Sequence, residues 1–201
     1  MEAEAIDTSR DPAIPYALRD DIGERLESFC KHHGSQLGHR LWNEWLQGVV
    51  ISVAELIDAD LFVWIADEDG LDPVFNGPRT DRLAEGYRQP IKTGRNEGTV
   101  SMVYERGQFF AEPRVGEESG PDKAIDRLLG IETRSLMASP LYFGSGLRGV
   151  VSAIRFTFAG QSSAVEPEPF SVDDVEHFEC MVSVLGRLMD EALVSRALSL
   201  R

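Results

Sequence analysis

The chain has 201 residues, 42% hydrophobic and 27% charged, a length and balance that suit one globular domain with its own core and a little additional helix. Its formal net charge of −14 argues against a nucleic-acid footprint, because phosphate contacts need clustered Lys and Arg that this sequence concentrates nowhere. Two cysteines, Cys30 and Cys180, stand far apart without CxxC or Cys/His ligand spacing, and no apolar run approaches a membrane span, so a soluble, unexported protein of the reducing cytoplasm is expected.

Residues 1–16 are polar and carry Pro12 and Pro15, which reads as a disordered leader. From Ile22, Leu26, Phe29 and Cys30, and again after Gly34 through Leu37, Leu41, Trp45, Val49 and Val53, apolar residues recur at helical spacing. Trp42, Leu46, Val50 and Leu56 widen that apolar face, so the helical region 17–57 is expected to be buried on two sides. His32, His33, His39 and Arg40 lie among Glu24, Glu27 and Glu44 and read as a solvated helix face.

The period then changes. Asp60 to Ala66 reads as a strand, Asp67-Glu68-Asp69-Gly70 as a turn, and Leu71 to Asn76 as a second strand stopped by Gly77-Pro78. An extended piece over 87–92, a helix from Gly98 to Arg106 and a strand from Gln108 to Glu112 follow, then a loop and a short helix from Asp122 to Leu129. Two long strands, Arg134 to Phe143 and Gly149 to Phe158, are joined by Gly144-Ser145-Gly146 and pair antiparallel. Residues 159–169 form a linker, and Ser171 with Asp174 three places on is a capping box that starts a helix running to the end. Along that helix Val175, Phe178, Val182, Leu185, Met189 and Ala192 make a heptad seam. The seam reads as the interface of a homodimer or as packing on the domain's own sheet, and the two are compatible because Met181, Val184 and Leu188 supply a second apolar side.

This order of elements resembles the GAF fold. The resemblance is carried by Arg134-Ser135-Leu136-Met137-Ala138-Ser139-Pro140-Leu141, by Gly149-Val150-Val151, by Phe170 followed four residues later by Asp174, and by the helix that begins at Gly98 and ends in Gly107-Gln108. It covers residue 59 to about residue 192 and implies an α+β domain. The expected form is a twisted antiparallel sheet of five or six strands, with terminal helices on one face and short helices and loops forming a pocket on the other. The implied organisation is a leader (1–16), N-terminal helices (17–57), the sheet and pocket (58–158), a linker (159–169) and a completing C-terminal helix (170–201).

In cyclic-nucleotide-binding members of the family the pocket is lined from places that fall here on Val63, Phe75, Asn76, Thr99, Val100, Asp126, Leu129, Thr133 and Ser152. Elementary chemistry speaks for some of these independently. Backbone N–H groups near Gly98 are free at a helix start. Phe75 offers a stacking ring, Asn76 a donor and an acceptor, and Asp126 an acceptor. The plainer readings are that Phe75 and Leu129 are core, Asn76 a turn residue and Asp126 a surface carboxylate.

The departures from the family pattern narrow its meaning. The nucleotide signature keeps Phe170 and Asp174, but Val175 replaces its Glu and no Asn-Lys precedes it, which weakens cyclic nucleotide as the ligand. The segment 122–129 has no bilin-binding cysteine. Cys30 and Cys180 lie on the terminal helices, away from the pocket where the thiol chemistry of free methionine sulfoxide reductases belongs, and so do all four histidines. No catalytic constellation, cofactor or metal site is expected. The leading expectation is a signalling domain, dimeric and without contact to nucleic acid or membrane, that binds an unidentified small molecule and signals through its terminal helices to a partner protein or fused output domain. The alternative from another class is a dimeric interaction platform whose pocket is filled by its own bulky side chains.

Overall fold

A computed structural model describes residues 23–26, 28–29, 40–66, 70–77, 79, 93–94, 98–115, 124–144, 146–160 and 165–199. The leader, Cys30 and the extended piece over 87–92 fall outside them.

Helix α1 spans Glu44–Leu56. Asn43 sets its start: the extended residue turns its Oδ1 to the N–H groups of Trp45 (3.0 Å) and Leu46 (3.1 Å), the usual service of an asparagine N-cap. This cap interrupts the apolar run from Leu37 to Leu56 that the sequence presents as one helix, and Arg40 and Leu41 belong to a helical turn before the break. The periodicity survives because both pieces bury the same kind of face.

Six strands follow: β1 (Asp60–Ala66), β2 (Gly70–Phe75), β3 (Thr93–Gly94), β4 (Phe110–Glu112), β5 (Ile131–Phe143) and β6 (Gly146–Phe158). They form one antiparallel sheet in the order β3-β2-β1-β6-β5-β4. The β5–β6 hairpin is longer than the two strands read from sequence, because Ile131, Glu132 and Thr133 continue pairing with Phe158, Thr157 and Phe156. Three irregularities break the ladder, near Val63, Arg134 and Leu141. Helices α2 (Gly98–Arg106), α3 (Ala124–Leu129) and α4 (Val172–Ser199) complete the chain.

Alternation along the central strands creates two cores, one on each face of the sheet. Leu61, Val63 and Ile65 of β1, Val151 and Ala153 of β6, and Met137 and Leu141 of β5 pack with α1 and α4. Phe62 and Trp64 of β1, Val150 and Ile154 of β6, and Leu136 and Ala138 of β5 face the other way, toward Val103 of α2 and Leu129 of α3.

The heptad seam of α4 belongs to the first core. Phe178, Leu185 and Met189 are fully buried, Val182 nearly so, and Val175 and Ala192 pack at its edge, so this seam is covered by the protein's own sheet and is not an outward dimer interface. Burying an apolar side chain of this size contributes about 1.5–3 kcal/mol. Gly186, on the same helix, lets α4 close on β5, since a Cβ there would stand 2.5 Å from the Tyr142 carbonyl oxygen. The capping box forms as read: Ser171 N–H donates to Asp174 Oδ2 (2.8 Å) and Asp174 N–H to Ser171 Oγ (3.1 Å).

Candidate functional site

The α2/α3 face of the sheet is where chemistry-bearing side chains collect, because period-two alternation turns Phe62, Trp64 and Ser152 away from the terminal helices. Phe62 and Trp64 lie nearly parallel with ring centroids 5.8 Å apart. The Trp64 indole N–H donates to Ser152 Oγ across the strand pair at 3.0 Å, inside the protein. Val100, Met102, Phe110 and Phe156 pack around this apolar floor.

Of the predicted ligand residues, Gly98, Thr99 and Val100 open α2 over this face. Gly98 takes a left-handed φ of 73° that starts the helix, and Thr99 is buried behind it. Leu129 is buried in the same core. Asp126 and Thr133 are engaged with each other: Asp126 Oδ2 accepts from Thr133 N–H (2.9 Å) and Oδ1 from Thr133 Oγ (2.7 Å), a latch across the Gly130 turn from α3 into β5. Ser152 is likewise occupied by Trp64. Asn76 keeps a buried Oδ1 without a partner.

Two predicted residues lie on the opposite face. Val63 is an odd-numbered β1 residue and sits among the helix-side side chains. Phe75 follows a register shift between β1 and β2, packs against the same helix-side core, and lies 5.8 Å from the Trp42 ring. Neither meets Ser152 or α2. Strand alternation decides this for Val63, and Phe75, its direct cross-strand partner, shares its face.

Sequence reasoning missed two arginines. Arg79 reaches back from beyond β2 to Asp60 Oδ1 and Asp58 Oδ1, both at 3.1 Å, with its guanidinium 5.9 Å from the Phe156 ring centroid. Asp60 is only 2% exposed, and Gly77 is needed beside it, since a Cβ there would fall 2.6 Å from the Asp60 Cγ. On the helix side Arg155 donates to the carbonyls of Ile57, Asp58 (3.2 Å), Glu168 (2.9 Å) and Pro169 (3.0 Å) and to Asp174 Oδ2 (3.1 Å). Its guanidinium also stands 4.4 Å from the centroid of the Phe170 ring. Arg155 therefore supplies the cation for the Phe170/Asp174 pair, which lacks an Asn-Lys in sequence. The signal was present as a lone arginine inside the apolar run 150–158.

Burial works to raise the Asp174 carboxyl, but the Ser171 hydrogen bonds and the charge and hydrogen bond of Arg155 outweigh it, holding the group below its ordinary value.

No protein-family model matches the sequence, and no curated protein matches it. Solved structures do. A GAF domain of Synechocystis in its photoproduct state superimposes with a TM-score of 0.55 at 13% identity, over 77% of this chain and 97% of that one. The GAF domain of a phosphoenolpyruvate-protein phosphotransferase from Coxiella burnetii also gives 0.55, at 14% identity, over 89% of this chain and 96% of that one.

The fold is that of a GAF domain. The GAF domain of a two-component sensor histidine kinase from Bacillus halodurans agrees, with a TM-score of 0.53 at 15% identity over 78% of this chain and 99% of that one. On this fold the α2/α3 face is lined mainly by aromatic and aliphatic groups, and its polar pairs Trp64–Ser152, Asp126–Thr133 and Asp60–Arg79 are already satisfied. Cys180 is exposed on α4, across the sheet from that face. No helix of the described residues is long and apolar enough to cross a membrane.

Proposed function

We propose that this GAF domain is a signalling module that binds a small, largely apolar molecule on the α2/α3 face of its sheet and passes occupancy to α1 and α4. The observation that carries the reading is the second core itself: a buried aromatic floor of Phe62 and Trp64 packed with side chains of the short helix α2. The solved GAF domains of a sensor kinase and of a phosphotransferase support a regulatory role by analogy of fold.

The same face disfavours an anionic nucleotide. Arg79, a cation placed against it, is already held by two carboxylates, and the chain as a whole repels anions. A thermal-shift panel that sets aromatic and aliphatic metabolites against cyclic nucleotides tests this. Stabilisation by the former and not by the latter is expected, and a response to nucleotides alone overturns it.

A second reading, an interaction platform with a closed pocket, is favoured by one observation. The Trp64–Ser152 bond and the packing of Phe62 fill the sheet face, while Trp45 (65% exposed) and Leu56 (62% exposed) leave apolar surface on α1. A homodimer, if it forms, uses such outward residues. Light scattering at micromolar concentration reads this directly, with a dimer expected and a monomer contradicting it.

A further inference from the structure

A signalling domain of this kind needs a physical link between the two faces of its sheet, and the connector from α1 to β1 has the features of one. Asp58 adopts φ 45°, the one positive φ at a non-glycine position among the described residues, a conformation that costs energy and persists only when its surroundings hold it. Two arginines from opposite faces do so. From the α2/α3 side, Arg79 grips the side chains of Asp58 and the buried Asp60. From the helix side, Arg155 grips the carbonyls of Ile57 and Asp58 and, with the same guanidinium, the linker carbonyls and Asp174 at the start of α4.

We infer that the segment 57–60 is a coupling hinge, clamped by Arg79 and Arg155, through which a change on the α2/α3 face repositions the C-terminal end of α1 and the N-terminal end of α4 together. The inference rests on the reading that α1 and α4 carry the output, and it is independent of which ligand binds. Each link has a distinct strength. The Arg79–Asp58 contact is largely exposed and weak alone, whereas Asp60 is buried and anchors Arg79. Arg155 is a planar fork that serves several acceptors at once, a task a lysine ammonium performs poorly. Phe156, next to Arg155 on β6, turns to the opposite face and lies under Arg79, so the two arginines are also joined through one strand.

The test is amide hydrogen exchange by NMR on the ligand-free full chain, comparing Arg79→Gln, Arg155→Gln and the double variant. The reporters are the N–H groups of Ala59, bonded to the Ala54 carbonyl, and of Asp174 and Val175 at the start of α4. Arg79→Gln is expected to speed exchange at Asp174 and Val175 by about fivefold or more, the low end of measured coupling between sites, with central β5 and β6 amides unchanged. In the double variant the two effects are expected to be less than additive. Exchange at Asp174 and Val175 that is unchanged by Arg79→Gln, or strictly additive effects, overturns the hinge. If Arg155→Gln does not fold, Arg155→Lys replaces it and is expected to show the same speeding in milder form. Because no ligand is present, failure of the ligand panel leaves this result standing, and failure here leaves the panel standing.

Discussion

The two faces of the sheet are built from the same strands and are packed differently. The helix-side core joins Phe143, Phe178, Leu185 and Met189, all essentially without solvent contact, into one apolar mass between the sheet and two helices. The α2/α3 core is smaller, richer in aromatic groups and crossed by polar pairs, and its covering helices have only nine and six residues. Long helices with a wide apolar face lend rigidity. Short helices with satisfied polar contacts leave local opening less costly, which is the property a binding face needs.

Substitutions on either side break or sharpen this contrast. The largest effect is expected from Phe178→Ala, which removes a fully buried ring from the helix-side core and should cost about 3–5 kcal/mol in denaturant unfolding. Phe110→Ala on the other face, where the ring is only partly buried, should cost clearly less. Equal costs would mean that the two faces are equally rigid. Next comes Ser152→Ala, which leaves the Trp64 indole N–H buried without an acceptor and should cost about 1–3 kcal/mol, visible as a shift of the denaturation midpoint. No loss would show that water or a ligand reaches the indole.

Asp174→Asn should cost about 1–2 kcal/mol near neutral pH, the size of the charged hydrogen bonds its carboxylate accepts from the Ser171 N–H and Arg155, while the Ser171 cap itself remains. Its sign follows from the lowered carboxyl. The stability that Asp174 contributes is complete above the unfolded value of about 3.9 and disappears as pH falls through the lower folded value. The gap between wild type and variant should therefore close in acid, and a gap that persists at low pH would assign the effect to packing. The smallest change in stability is expected from Trp45→Gln, within about 0.5 kcal/mol because the side chain is mostly exposed. Its informative readout is self-association, which should weaken if α1 presents the interface.

Much of this architecture was legible because periodicity reports burial. The helix from Gly98 to Arg106 and the Ser171–Asp174 capping box appear where the residue pattern puts them. The seam of Val175, Phe178, Val182, Leu185, Met189 and Ala192 was equally visible, but a heptad spacing reports only that one helix face is covered, not by what. Asn43 broke a helix that hydrophobic spacing alone ran through. For the site, Thr99, Leu129 and Ser152 lie on the α2/α3 face, whereas Val63 and Phe75 do not, because Val63 alternates with Phe62 and Trp64 along β1 and Phe75 is its cross-strand partner. The roles of Arg79 and Arg155 were illegible for another reason: although Arg155 stands out inside an apolar run, their partners are carbonyls and carboxylates distant in sequence.

The central claim is that the α2/α3 face receives a ligand and the helix side responds, and methionine methyl NMR separates the two directly. Met102 packs on the receiving face, while Met137, Met181 and Met189 lie in the helix-side core. During titration with a compound that raises the melting temperature, the Met102 methyl is expected to shift, accompanied by smaller shifts at Met181 and Met189. A stabilising compound that moves the helix-side methyls and leaves Met102 untouched would contradict the account.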